Sequence, residues 1–261
     1  MPSMPAVFVS HGSPMLILED GRAHRFLKGY AAELPRPTAI LIASAHWETA
    51  EPRLTAGPAP ETIHDFGGFP AALYRMRYPV PGDPALAERA AGLLRAAGFA
   101  AGLDPARGLD HGSWVPLSLL YPVADIPVVQ LSLQTELGSE HHYRVGAALR
   151  PLRDDGVLIV GSGSLTHNLM RLQRQASDDQ PPPAWVAAFE AWIADKVAAG
   201  DIAALLAWRA QAPHAAVAHP TDEHFLPFFV ALGAATPDRR GVRIHHSQTY
   251  AALAMDAYAF P

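Results

Sequence analysis

Short, unbroken hydrophobic runs alternate along the chain with longer segments in which hydrophobic residues recur at helical spacing. Four runs, at residues 6–10, 39–44, 126–133 and 157–161, are brief and rich in β-branched residues. Runs of this kind are typical of strands that are covered on both faces. They predict a central, mixed but mostly parallel sheet.

Three segments between these runs have the periodicity of amphipathic helices. Hydrophobic residues recur at intervals of three and four within residues 86–97, 145–152 and 185–193. The first segment follows Asp83 and Pro84, which suit an N-cap and a first helical turn. Strands that alternate with helices predict a layered α/β sandwich, with helices flanking one sheet.

The end of the chain departs from this alternation. Residues 241–258 are rich in Val, Ile, Thr and Tyr without helical period, which predicts an antiparallel edge of one or two strands. The polar stretch at 173–183 is interpreted as a surface loop rather than a domain boundary. Residues 1–261 are therefore predicted to form a single domain.

Composition excludes several classes of protein. A net charge of −5 argues against nucleic acid as the main partner, and no run approaches the roughly 18 apolar residues of a membrane span. The absence of cysteine excludes disulfides, thiolate metal sites and a cysteine nucleophile. The first residues lack the pattern of a secretory signal, so a cytoplasmic location is expected. Nothing in the sequence specifies an oligomeric state.

The 13 histidines carry the candidate chemistry. His11, His46 and His167 each follow a predicted strand, and His111 lies in a Gly- and Ser-containing segment. Ligands of α/β proteins bind at the carboxyl ends of strands, and imidazole is the commonest metal ligand. We therefore expect these side chains to converge on one divalent metal ion per chain.

The donor set leaves the metal open between Fe(II) and Zn(II). Two histidines and a carboxylate are typical of non-heme Fe(II) oxygenases, whereas three histidines and water are typical of zinc hydrolases. The segment HPTDEH at 219–224 precedes a helical run and offers either Glu223 or His224 as the third donor.

Other candidates are open to a functional and a structural interpretation. His64, in HDFGGF, either lines a substrate pocket or stabilises a turn. Trp47 and Phe69 either wall an aromatic pocket or belong to the core. The pairs at 141–142 and 245–246 are predicted to be surface histidines. Ser13 and Ser164 lack the nucleophile-elbow pattern and suit turns or caps.

Six motifs together resemble the signature set of the DODA-type extradiol aromatic ring-opening dioxygenases, the DOPA-dioxygenase branch of the LigB-like (class III) superfamily. They run in order over nearly the whole chain: SHGSPM at 10–15, SAHW at 44–47, HDFGGF at 64–69, LDHG at 109–112, SGSLTHN at 162–168 and HPTDEHF at 219–225. The resemblance implies a LigB-like catalytic domain that opens a small catecholic ring, DOPA-like or other, with O2 to a muconic semialdehyde.

Residue by residue, the resemblance implies that His11 and His46 ligate the metal. His224 is expected as the third ligand, with Glu223 and His219 as alternatives. His167 is expected as a further ligand or as an acid/base, with His111 as the other acid/base candidate. Two alternatives remain: a zinc hydrolase that uses metal-bound hydroxide, and a non-catalytic binding protein on the same scaffold.

Overall fold

Strands and helices alternate through residues 3–177 and 179–261, the part of the chain that the computed structural model describes. The strands are β1 (Ala6–Ser10), β2 (Ala39–Glu48), β3 (Arg53–Thr55), β4 (Gly102–Asp104), β5 (Val128–Leu133), β6 (Val157–Gly163), β7 (Val242–His245), β8 (Gln248–Thr249), β9 (Leu253–Ala254) and β10 (Ala257–Phe260). The helices are α1 (Arg22–Tyr30), α2 (Ala71–Arg75), α3 (Pro84–Ala96), α4 (His111–Leu120), α5 (Gly138–Leu149), α6 (Ala184–Ala199), α7 (Ile202–Leu206), α8 (Trp208–Gln211), α9 (Ala215–Ala218) and α10 (Leu226–Gly233).

The main sheet has the strand order β4-β3-β5-β2-β6-β1-β10-β7. Its centre is parallel, because β2 pairs in parallel with both β5 and β6, and β6 pairs in parallel with β1. At one edge β10 pairs antiparallel with both β1 and β7, and β8 and β9 form a separate antiparallel pair. This arrangement confirms the predicted α/β sandwich with a mixed sheet and an antiparallel C-terminal edge.

Both faces of the sheet are buried, which explains the unbroken hydrophobic runs. Successive strand side chains point to opposite faces. Phe8 of β1 belongs to a hydrophobic cluster with residues of α3, α5, α6 and α10. Val7 and Val9 belong to a second cluster with residues of α1 and α4. Helices therefore cover the sheet on both sides.

Several element boundaries follow local signals, and others do not. Helix α3 begins at Pro84, and the side chain of Asp83 accepts a hydrogen bond from the amide of Leu86 at 2.9 Å. Residues 173–183 precede α6, as the surface-loop prediction requires, although residue 178 lies outside the described residues. Strand β2 runs four residues past its predicted end at 44, to Glu48. Helix α4 has no polar face to give a helical period, since nearly all of its residues are buried.

The strand register brings the candidate site residues to one edge of the sheet. Ser10 of β1 lies opposite Gly163 of β6, and Ser44 of β2 lies opposite Ser162. The carboxyl ends of β1 and β6 are therefore level, with His11 directly after the first of them, and the last residues of β2, which include His46, extend past this edge. In the described part of the chain, no helix is both long and apolar enough to cross a membrane.

Candidate metal centre

Three imidazole rings meet at the carboxyl edge of the sheet. His11 follows β1, His46 lies near the end of β2, and His224 lies just before α10. The Nε2 atom of His46 is 3.1 Å from that of His11 and 3.3 Å from that of His224. Ligand atoms of a tetrahedral ion with bonds of 2.0–2.1 Å are about 3.3 Å apart. The spacing of these nitrogens therefore fits a single small metal ion.

Hydrogen bonds behind two of the rings define which nitrogen faces this centre. The Ser162 hydroxyl donates to the carbonyl of Gly112, so its oxygen accepts from His11 Nδ1, 3.0 Å away. The Glu223 carboxylate accepts from His224 Nδ1 at 2.9 Å. A neutral imidazole that donates through Nδ1 keeps its lone pair on Nε2. Both rings therefore direct unprotonated nitrogens at the centre, as metal ligation requires.

Burial and crowding keep these rings neutral. Burial, followed by the neighbouring histidines, lowers the pKa of His11 and of His224 well below its ordinary value. Burial and the neighbouring His111 lower the pKa of His46 to about 3. Because ligating histidines must be neutral, the site is prepared for a cation at neutral pH.

His167 lies directly against one of the three rings. Its imidazole stacks on that of His224 with a centroid separation of 3.3 Å and an interplanar angle of 11°. Burial lowers the pKa of His167 to about 4. His167, Glu223 and His224 also offer one ligand atom each within 4.8 Å of one another. The geometry suits both expected roles of His167, ligand and acid/base.

His111, the first residue of α4, is held by an aspartate that the sequence analysis did not single out. Its amide donates to Asp65 Oδ1 at 2.9 Å, and its Nδ1 lies 3.0 Å from Asp65 Oδ2. The His111 ring is 3.9 Å from the His46 ring, centroid to centroid. Burial would raise the pKa of Asp65, but its hydrogen bonds with His111 lower it to about 2.

A second buried aspartate fixes the point where α4 meets β2. Asp110 caps the helix by accepting from the amide of Ser113, and it also accepts from the hydroxyl of Ser44 at 2.6 Å. Burial raises the pKa of Asp110. At Gly112 a Cβ atom would lie 2.9 Å from Cδ2 of His46, so only glycine fits this approach. These contacts place the His111 and His46 rings side by side.

Aromatic side chains line the approach to His111. The Phe66 ring lies edge-on to His111 at 5.7 Å, and it contacts the rings of His64 and Phe69 at 5.7 and 5.4 Å. His64 Nε2 is in addition 3.1 Å from the carbonyl of Met76. The structure thus brings His64 and Phe69 into one aromatic group with Phe66, which the sequence analysis missed.

Trp47 is placed differently. It is buried, and its ring packs against the guanidinium of Arg107 at 5.3 Å. Trp47 therefore belongs to the interior behind the site rather than to the group of rings beside His111.

Two other histidines are buried, and for one of them, His142, the predicted surface position is wrong. His219, an alternative third ligand, is buried among the rings of Phe189, Trp208 and Phe225, and its Nε2 is 2.8 Å from the carbonyl of Leu165. It is thereby separated from the three clustered imidazoles. His142, predicted to be on the surface, is only 1% exposed.

The second predicted surface pair contains a polar cluster of its own. His246 is 43% exposed at its side chain, but its Nδ1 lies 3.2 Å from Oδ1 of the buried Asp256. Its Nε2 lies 3.7 Å from Oε1 of Glu190, which is 8% exposed. This group joins α6 to the C-terminal strands, and the carbonyl of Asp256 accepts from the hydroxyl of Ser10 at 2.9 Å.

Fold and site together define an α/β protein with a histidine-rich site, able to hold one metal ion, at the carboxyl edge of its sheet. A family model described as "Catalytic LigB subunit of aromatic ring-opening dioxygenase" matches residues 5–261. The 4,5-DOPA dioxygenase extradiol of Beta vulgaris is 43% identical over 262 residues, which cover 97% of this chain and 95% of that protein.

A bacterial relative and a solved structure agree with this match. The 4,5-DOPA dioxygenase extradiol of Escherichia coli (strain K12) is 42% identical over 243 residues, which cover 88% of this chain and 85% of that protein. The crystal structure of an uncharacterized protein from Escherichia coli K12 superposes with a TM-score of 0.82 at 33% identity, covering 99% and 100% of the two chains. The chain therefore belongs to the LigB family and is an extradiol ring-cleavage dioxygenase.

Proposed function

We propose that residues 1–261 form a single LigB-like catalytic domain that opens a small catecholic ring with O2 to a muconic semialdehyde. One divalent metal ion per chain is held by His11, His46 and His224. The observation that supports this most directly is the set of three Nε2 atoms with neighbouring separations of 3.1 and 3.3 Å. The hydrogen bonds that leave two of these atoms unprotonated add to it. The names of the relatives favour a DOPA-like catechol.

A divalent ion bound there supplies Lewis acidity, which lowers the pKa of a coordinated catechol hydroxyl. His111 and His167 lie beside that position, and as imidazoles they can take a phenolic proton or return one to an oxygen of the substrate. A positioned imidazole contributes a factor of roughly 10²–10⁴ in rate. The edge of the Phe66 ring, together with Phe69 and His64, forms an apolar wall against which a catechol ring packs.

The donor set is compatible with two metals. Cleavage with O2 calls for a redox-active ion such as Fe(II), whereas three imidazoles are also the donor set of zinc hydrolases. We propose Fe(II) or Zn(II) at this site, and elemental analysis of protein purified without added metal distinguishes them. A cytoplasmic location stays a prediction from the sequence.

The proposed activity is tested by anaerobic reconstitution with Fe(II), followed by L-DOPA, caffeate or protocatechuate and then air. We expect O2 uptake with one of these catechols and a yellow semialdehyde product. The His11→Ala variant, treated in the same way, is the control for free iron. Turnover of esters or amides by the zinc-loaded protein, with no O2 uptake by the iron-loaded protein, would contradict the proposal.

A further inference from the structure

The carboxylate of Asp65 lies between a backbone amide and two imidazole rings. Its Oδ1 accepts from the amide of His111 at 2.9 Å, and its Oδ2 lies 3.0 Å from Nδ1 of the same residue. Oδ2 is also 3.8 Å from Nδ1 of His46. One side chain therefore holds both the main chain and the ring of His111, at the first turn of α4.

The ring of His111 contacts an aromatic side chain in addition to the carboxylate of Asp65. The Phe66 ring stands edge-on to it, with a centroid separation of 5.7 Å and an interplanar angle of 87°. Phe66 directly follows Asp65, so the same loop supplies the carboxylate and the aromatic contact. Nδ1 and Oδ2 are within hydrogen-bond distance, although the N–H direction at Nδ1 is not well aligned with Oδ2.

A carboxylate accepts hydrogen bonds and donates none, so it selects the tautomer in which the facing ring nitrogen carries the proton. With Nδ1 protonated, the lone pair of a neutral His111 is on Nε2. Since the His111 ring contacts those of His46 and His11, that lone pair belongs to the group of atoms around the proposed substrate position.

We propose that Asp65 is a positioning residue for His111, fixing the tautomer and orientation in which Nε2 of His111 accepts a proton from the bound catechol. The inference rests on the proposed function of this site. The competing role is support of the ligand His46. The shorter approach to His111, together with the hydrogen bond from its amide, favours the first role over the second.

Asp65→Asn is the informative change because it keeps the shape of the side chain. Its amide oxygen can still accept from the His111 amide, while its NH2 group can donate to Nδ1 and so moves the ring proton to Nε2. In a serine protease triad the same exchange leaves the geometry intact and lowers kcat about 10⁴-fold. Asp65→Glu is the conservative variant, because it restores a carboxylate at greater reach.

The first measurement is two-bond proton–nitrogen NMR of the histidine side chains in zinc-loaded protein, with His111 assigned from the His111→Ala spectrum. We expect His111 to be protonated on Nδ1 in the wild type and in Asp65→Glu, and on Nε2 in Asp65→Asn. An unchanged tautomer in Asp65→Asn would overturn the proposal. This readout needs no turnover, so it decides the question even if none of the catechols is a substrate.

The second measurement is steady-state kinetics of iron-loaded protein with equal metal content. We expect Asp65→Asn to lower kcat by roughly 10²–10⁴, the range for loss of a general base, with KM nearly unchanged and partial recovery in Asp65→Glu. In a His111→Ala background, Asp65→Asn should cause no further loss. Additive losses, or a loss explained by lower metal content, would assign Asp65 to the fold or to His46 instead.

Discussion

Histidines with acidic neighbours lie in two separate places within the described part of the chain, and their electrostatics are opposite. At the sheet edge, burial lowers the pKa of His11, His46 and His224. In the group between α6 and the C-terminal strands, the hydrogen bond to Asp256 raises the pKa of His246. A neutral imidazole offers a lone pair to a metal, whereas a protonated one offers two N–H donors to carboxylates.

The imidazole nitrogens of the two groups face different partners. The Nε2 atoms of the first group face one another, while His11 and His224 donate outward through Nδ1. In the second group the two nitrogens of His246 face different carboxylates, 3.2 and 3.7 Å away. The guanidinium of Arg243 also lies 3.4 Å from Asp256. Both nitrogens of His246 therefore face carboxylates, an arrangement that favours the protonated ring over a metal ligand.

Histidine and carboxylate composition alone does not separate these two cases, because both groups offer three ligand atoms within 4.8 Å. The two cases are separated by which nitrogens of each ring are hydrogen-bonded to side chains outside the cluster. Ser162 and Glu223 accept from Nδ1 and leave Nε2 free, whereas Asp256 and Glu190 engage both nitrogens of one ring. In a metal-binding histidine, one ring nitrogen faces the metal and only the other is hydrogen-bonded to a protein acceptor.

The largest expected difference is in metal retention. His224→Ala removes one of three ligand nitrogens, and we expect the affinity for Zn(II) or Fe(II) to fall by more than about 100-fold, with turnover abolished. His246→Ala should leave metal content and turnover within error of the wild type. Elemental analysis after gel filtration measures both. Metal loss in His246→Ala, or full retention in His224→Ala, would reverse the assignment of the two groups.

A smaller effect is expected at the residue behind His224. Glu223→Ala removes the acceptor of the Nδ1 proton, so the ring loses its fixed tautomer, and metal affinity should fall by about 10–100-fold. Competition with a chromogenic chelator measures the change. Glu190→Gln is the matched control, because it alters a buried glutamate of the other group. If both variants lose affinity equally, the effect is general destabilisation.

Stability should respond more strongly in the second group. Asp256→Asn leaves His246 and Arg243 without their buried acceptor charge, and we expect about 1–3 kcal/mol less free energy of unfolding. Asp195→Asn, an exposed aspartate on α6, should change it by less than about 0.5 kcal/mol. Urea denaturation of the metal-loaded proteins provides both values. Equal effects at the two positions would show that the ion-pair group contributes little to stability.

The sequence predicts the central sheet because those strands are covered on both faces and therefore carry unbroken hydrophobic runs. It does not predict β3 and β4, which have three residues each and too few positions for a pattern. Helix α4 is missed for a related reason. It is buried on all sides and contains Pro116, so neither a polar face nor helix propensity indicates it.

For the site, the positions of His11, His46 and His167 at or after the end of a hydrophobic run are a local signal, and their convergence follows from the parallel register. Contacts between segments distant in sequence carry no such signal. Asp65 acts on a residue 46 positions away, and Ser162 acts on one 151 positions away. The burial of His142 and the partners of His246 likewise depend on which helix covers which strand.

The two groups should also respond to pH with opposite sign in metal-free protein. The pKa of His46 falls from its ordinary 6.5 to about 3, so its unfolded form binds more protons in that range and stability is lost as the pH falls below 6.5. The pKa of His246 is raised above 6.5, so its stabilisation is complete below 6.5 and is lost as the pH rises through the raised value.

This smallest effect is measured as the free energy of unfolding from about pH 4 to about pH 9, in chelator-treated wild type, His46→Gln and His246→Gln. His46→Gln should reduce the slope of the acid side, to which His11 and His224 also contribute, and His246→Gln should reduce the slope of the alkaline side. The groups that face His246 are the acids Glu190 and Asp256 and the bases Arg243 and His245. Burial raises the pKa of both acids, whose own titration therefore also lowers stability as the pH rises.

The two pH effects should also differ in their response to salt. Because the side chain of His246 is 43% exposed, solvent screens its ion pairs, and high salt should shrink the alkaline effect while leaving the acid one. If the stability curves of wild type and His246→Gln coincide at alkaline pH, His246 does not form stabilising ion pairs with Asp256 and Glu190 in solution.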